Sequence, residues 1–248
     1  MTRYDVIGQR YSRARRPDPR IFTAINDAVD EMGSIANIGA GAGSYEPAQT
    51  VVAVEPSHLM ISQRPPRAAP VVRAVAEHLP LHSHSVDAAL AILTIHHWSD
   101  LGRGISELVR IARRRVVIFT WDHSAFQNFW LLREYLPAAG ETDARLAVSL
   151  DRLQSLLPAE ATIRPVPVPH DCTDGFGGAY WRRPDAYLDP AVQAGMSMLA
   201  LTPKSALRSG LTKLRHDLKS GAWATRHEDL LGKSDLDLGY RLVVADLP

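Results

Sequence analysis

Residues 34–47 read SIANIGAGAGSYEP, and the types and spacing within them define a chemical site. An apolar run, Ile35 to Ile38, breaks into Gly39, Gly41 and Gly43, and Glu55 closes a second apolar run, Val51–Val54. Glycines at 39 and 41 leave no Cβ where a ligand must lie against the backbone. The expected order is strand, glycine turn, helix, strand, with the helix N-terminus offering unpaired N–H groups. A carboxylate at the end of the second strand is placed to accept both hydroxyls of a ribose. Together these residues predict a site for an adenosine-containing cofactor. Their spacing departs from the dinucleotide fingerprint G-x-G-x-x-G, because the third glycine comes one residue early and Ser44 holds its place. No lysine follows in the loop, which excludes a P-loop.

Further on lie the titratable groups. His96 and His97 close an apolar run and precede Trp98, His123 follows Asp122, and His170 precedes Asp171. Imidazoles titrate near neutral pH, so each is a candidate base. No H-E-x-x-H or similar spacing gathers them, and no metal is expected.

A G-x-G-x-G turn followed by Glu55 resembles the class I S-adenosylmethionine-dependent methyltransferases. From Val71 the chain reads VVRAVAEHLPLHSHSVDAALAILTIHHWSD. This is similar to the type 11 subgroup, which includes the ubiquinone and menaquinone biosynthesis enzymes. Their pattern runs D-A-E-x-L-P-F, a polar spacer, F-D with an apolar strand, then L-H-H. Here Ala76, Glu77, Leu79, Pro80, Asp87, Ile95, His96 and His97 fill that frame. The likeness covers residues 1–121 and implies S-adenosylmethionine as the cofactor. It implies that the glycine turn carries the methionine part, that Glu55 holds the ribose, and that Ala76-Glu77 lies along the adenine. Leu93 to His97 would face the sulfonium, with Tyr11 near the methionine end and Arg16 paired with its carboxylate. The cofactor set is thus Tyr11, Arg16, Gly39, Ala40, Gly41, Glu55, Pro56, Met60, Ala76, Glu77 and Leu93, and His97 and His170 are the candidate catalytic bases. Three positions depart from the family. Asn37 replaces an acidic residue two before the first glycine, Val75 replaces one that reads the adenine amino group, and Arg113-Arg114-Arg115 replaces Lys-Pro-Gly-Gly before the fifth strand.

The elements that must position these groups follow from the pattern. Helices are expected over 4–13 and 19–31, the second with Ile21, Ile25 and Val29 on one stripe. Strands are expected near 35–39, 51–55, 70–74, 87–93, 115–121 and 236–245, with 162–168 confined to a sheet edge by Pro165 and Pro167. Such alternation means an α/β, Rossmann-like class I methyltransferase fold: a mostly parallel seven-stranded sheet with helices on both faces. Residues 1–32 read as a helical lid, 33–169 as the cofactor-binding core, 170–235 as a helical cap over the acceptor, and 236–248 as the last core strand. The cap's aromatics are Phe176, Tyr180, Trp181, Tyr187 and Trp223.

A formal net charge of +1 gives no global field toward nucleic acid or an anionic membrane, and neither partner is expected. One cysteine, Cys172, suits a reducing cytoplasm and excludes a disulfide framework. No apolar run approaches a membrane span or a signal-peptide core. The reading is a cytoplasmic enzyme, monomer or homodimer, methylating a small molecule of secondary metabolism. Its rivals are a non-catalytic cofactor-binding protein, which Asn37 and Val75 suggest, and an RNA or protein methyltransferase, whose Asn/Asp-Pro-Pro-aromatic motif is missing.

Overall fold

The computed structural model describes residues 15–158 and 160–248. Helix α1 (Pro19–Asp27) is followed by β1 (Ile35–Ile38), β2 (Thr50–Val54), α2 (His58–Ser62), β3 (Val71–Val72), β4 (Val86–Ile92), α3 (Leu101–Ile111) and β5 (Ala112–Trp121). Next come α4 (His123–Phe126), α5 (Pro137–Leu146), α6 (Leu150–Leu156), β6 (Thr162–Pro165) and β7 (Val168–Pro169). The chain then runs through α7 (Pro190–Ala194), α8 (Ser197–Ala200), α9 (Lys204–Ser220), α10 (Ala222–Arg226), α11 (Glu228–Leu231), β8 (Asp235–Leu236) and β9 (Tyr240–Asp246).

The main sheet has the order β3-β2-β1-β4-β5-β9-β6, with β7 and β8 paired separately. Strands β1 to β5 are parallel, and β9 runs antiparallel between β5 and β6. Alternate residues of β4 and β5 divide between two cores, as the pleat requires. Ala89, Ala91, Val116 and Ile118 face α3 and α6, while Ala88, Leu90, Val117 and Phe119 face α1 and the segment 126–238. The expected α/β fold with both faces covered is therefore present, and the proline-bearing β6 sits at the edge.

Several expectations need correction. The helix over 4–13 lies outside the described residues. Helix α1 stops at Asp27, and Val29, though buried, belongs to the turn after it. Third-strand pairing is limited to Val71–Val72, and the last strand begins at Tyr240 because Leu236 pairs with Val168 in the small sheet. The largest difference is after β1, where no helix forms. Gly39, Gly41, Gly43 and Tyr45 all have positive φ (69°, 53°, 89° and 59°), and a left-handed residue at every second position prevents a right-handed helix. Residues 39–49 are also barely enough for a crossover with a helix in it. The Arg113–Arg115 departure leaves no turn at all, since α3 passes into β5 at Ala112.

The region 170–235 packs into the core on one face of the sheet. Trp181 and Tyr187 are fully buried and Trp223 nearly so, in the same core as Phe119 and Leu90. The Trp181 indole N–H donates to the Val168 carbonyl at 2.9 Å, while the Trp130 indole donates to the carbonyl of Trp181 at 2.9 Å.

Candidate active site

Without a helix, the loop after β1 is held by β2. The amides of Gly39 and Ala40 both donate to the carbonyl of Val54, at 2.8 and 3.0 Å. This brings Gly41 N–H within 2.9 Å of Glu55 Oε2, while Ser57 N–H donates to Oε1 at 2.8 Å. The loop's outer side is clamped by a buried ion pair, Arg64 Nη2 to Glu46 Oε2 at 2.8 Å, with Asn37 Nδ2 donating to the same oxygen at 3.1 Å. Glu46 thus brings a carboxylate next to Asn37, where the family has an acidic residue.

This loop walls a cavity of about 390 Å³, the size of a small-ligand site. Gly39, Ala40, Gly41, Glu55, Pro56, Met60, Ala76, Glu77, Leu93 and His97 all line it, as do Asn37, Val75 and Thr94. Tyr11 lies outside the described residues. Arg16 is exposed and absent from the lining, and its neighbour Arg15 is there instead. Arg15 Nε reaches the fully buried Asp174 at 2.6 Å, and Tyr45 donates its hydroxyl to Asp174 Oδ2 at 2.9 Å. The entering chain, the glycine loop and the segment after β7 are thereby tied together.

Three positions refine the roles expected of the lining. Gly39 faces Thr94, whose side chain occupies the place a Cβ would take, so the protein's own packing requires glycine there. Burial raises the pKa of Glu77, but hydrogen bonds from Ser99 and Asp100 outweigh it and hold the carboxyl below its ordinary range. Those bonds pin the turn after β4, so the Glu77 carboxylate is anchored to the protein itself. Leu93 adopts φ 48°, sparsely populated for a branched-chain residue, where β4 meets the cavity.

A second, smaller cavity of about 60 Å³ shares Arg15 and Leu93 with the first. Its walls are His96, Trp121, Phe126, Asp143, Leu146 and Tyr240, with Phe176, Gly177, Gly195, Met196, Ser197 and Met198 from the region expected to cap the site. His97 lies in the turn Ile95–His97 beside His96, with ring centroids 3.7 Å apart. His170 lines neither cavity; its amide and Nδ1 both meet the Ser234 carbonyl in the small β7–β8 sheet, at 2.9 and 3.0 Å. Asp122 does not pair with His123 but caps α4 through Ser124. His123 turns instead to Asp143, at 2.7 Å.

Sequence reasoning missed Arg15, Tyr45 and Asp143, and it had Thr94 only within the segment expected to face the sulfonium, not against Gly39. Asp143 alone left a trace, since it stands four residues after buried Ala139 on the inward stripe of α5, where a carboxylate is out of place.

The first cavity fits S-adenosylmethionine. Asn37 Oδ1 is a buried acceptor with no donor among the described residues, suited to an ammonium, and the Glu55 carboxylate lines the same cavity, a group of the type that accepts from ribose hydroxyls. Among the described residues no helix is long and apolar enough to cross a membrane.

The family model for a methyltransferase domain matches residues 36–120. A structure described as that of a candidate methyltransferase from an antibiotic biosynthesis pathway of Anabaena variabilis is 35% identical, with a TM-score of 0.85 over 94% of this chain and 99% of that one. A type II methyltransferase candidate from Anaeromyxobacter dehalogenans is 21% identical, with a TM-score of 0.51 over 93% and 94%. The [4+2]-cyclase SpnF is 15% identical, with a TM-score of 0.52 over 92% and 80%. The last two likenesses bear on the fold alone. No curated protein matches the chain.

Proposed function

The chain belongs to the class I S-adenosylmethionine-dependent methyltransferases, and from that premise we propose that it methylates a small molecule held in the second cavity. The observation that carries this reading is the contact of the two cavities at Leu93 and Arg15. Bound S-adenosylmethionine supplies a sulfonium methyl, which the acceptor takes in a single displacement. The protein's part is to align the partners and exclude water. Glu55 holds the ribose, the glycine loop the methionine part and Asn37 its ammonium, and His97 at the lining of the first cavity is the nearer of the two expected bases. The aromatic faces of Trp121, Phe126 and Phe176 suit an apolar acceptor frame. The Anabaena relative's pathway favours an acceptor from secondary metabolism, and a formal net charge of +1 favours one that is not nucleic acid.

The test is methyl transfer with a small-molecule panel against RNA and peptides, together with Phe176→Ala. We expect turnover on a small acceptor, cut at least tenfold in the variant, with S-adenosylhomocysteine affinity within twofold of wild type. Methylation of RNA or peptide alone, unaffected by Phe176→Ala, would refute the reading.

A further inference from the structure

Asp143 is 3% exposed and lines the second cavity, whose other side chains are apolar or aromatic apart from Arg15, which is paired with Asp174, and His96 and Ser197. Its two oxygens are treated differently. Oδ2 receives His123 Nδ1 at 2.7 Å and Trp121 Nε1 at 3.2 Å, whereas Oδ1 has no donor among the described residues. Buried carboxylates are ordinarily satisfied on both oxygens, and one that is not calls for an explanation. His123 and Trp121 both grip Oδ2, which fixes the carboxyl plane and leaves Oδ1 available.

We propose that Asp143 is the polar anchor of the acceptor pocket, taking the N–H or O–H of the acceptor on Oδ1 and selecting compact apolar molecules that carry a protic amine or phenol-like hydroxyl. This deepens the function proposed above and rests on it. Burial pushes the Asp143 pKa above the ordinary carboxylate range against the hydrogen bonds of His123 and Trp121, so the group favours receiving a proton. During transfer the acceptor's lone pair forms the bond to the methyl carbon, sulfur keeps the electron pair of the bond that breaks, and the acceptor's proton passes to Oδ1. His123 is a positioning residue. At about 60 Å³ the cavity accommodates roughly a ring-sized group. An anionic acceptor is rejected, because its charge would meet a second one in a low-dielectric site.

Ligand-observed NMR on protein saturated with S-adenosylhomocysteine tests this, with phenol, benzylamine, toluene and benzoate as probes. Phenol and benzylamine should bind at least tenfold more tightly than toluene, and benzoate more weakly than all three. In Asp143→Asn the two protic probes should fall to within threefold of toluene, with S-adenosylhomocysteine affinity within twofold of wild type. Benzoate binding as well as phenol, an unchanged ranking in the variant, or no preference in wild type would overturn the proposal. If the variant does not fold, the wild-type ranking decides. Failure of wild type to bind S-adenosylhomocysteine would instead strike the function above, and the same ranking on the unloaded protein would still judge Asp143.

Discussion

Replacing Gly39 with alanine separates a requirement of the fold from a requirement of the ligand. At φ 69° an L-residue costs about 1–2 kcal/mol, and the new Cβ would fall on the Thr94 side chain, demanding a shift worth roughly 1–3 kcal/mol more. Gly39→Ala should therefore lose about 2–5 kcal/mol of stability in the unloaded protein. All three nearest atoms belong to the Thr94 side chain, so Thr94→Gly removes the overlap and leaves only the backbone cost. The double variant should then be more stable than the sum of the two single changes by roughly 1–3 kcal/mol. Urea denaturation of the four proteins measures the coupling, and calorimetry with S-adenosylhomocysteine measures the site. If the cofactor's space were the whole reason for glycine, Gly39→Ala would keep its unloaded stability and the cycle would be additive to about 0.5 kcal/mol. That result refutes the argument.

Glu55→Ala should weaken S-adenosylhomocysteine binding by about 1–3 kcal/mol and also lower unloaded stability, because the Gly41 and Ser57 amides lose their acceptor; a calorimetric titration and a melting curve read both. Burial would raise the Asp18 pKa, but Arg20 and the amides of Arg20 and Thr173 overcome it and set it at about 2, below its ordinary 3.8. A depressed carboxyl stabilises above pH 3.8 and loses that contribution as pH falls toward 2. Asp18→Asn should thus cost about 2 kcal/mol at pH 5 in urea melts, and the gap should close on acidification through that window. If His97 rather than Asp143 takes the acceptor's proton, His97→Asn should lower turnover by about 10²–10⁴ with cofactor affinity intact, whereas His170→Asn, outside both cavities, should change turnover less than twofold in a product-release assay. Trp181→Ala should cost about 3–5 kcal/mol in denaturant melts, since the indole is wholly buried and donates to Val168; retained stability with lost turnover would return it to the acceptor site.

The chain alone determined the parts whose chemistry is local. Apolar runs of strand length, glycines where the backbone must turn left-handed and a carboxylate ending the second strand are all readable in order, and they yielded the fold and much of the lining of the first cavity. The histidine pair after β4 was readable for the same reason. The missing helix after β1 was not, because propensity near Ser44 does not reveal that Tyr45 also takes positive φ. Only the tertiary structure decided which arginine enters the site: Arg15 turns inward because Asp174, distant in sequence, is buried behind it, while Arg16 has no such partner among the described residues and stays exposed. It likewise sent Trp181 into the core, separated His170 from both cavities, and joined His123 to Asp143 rather than to its neighbour Asp122. Each of these depends on long-range packing that brings α5 and the segment after β7 against one face of the sheet, and no local pattern encodes which side chains meet there.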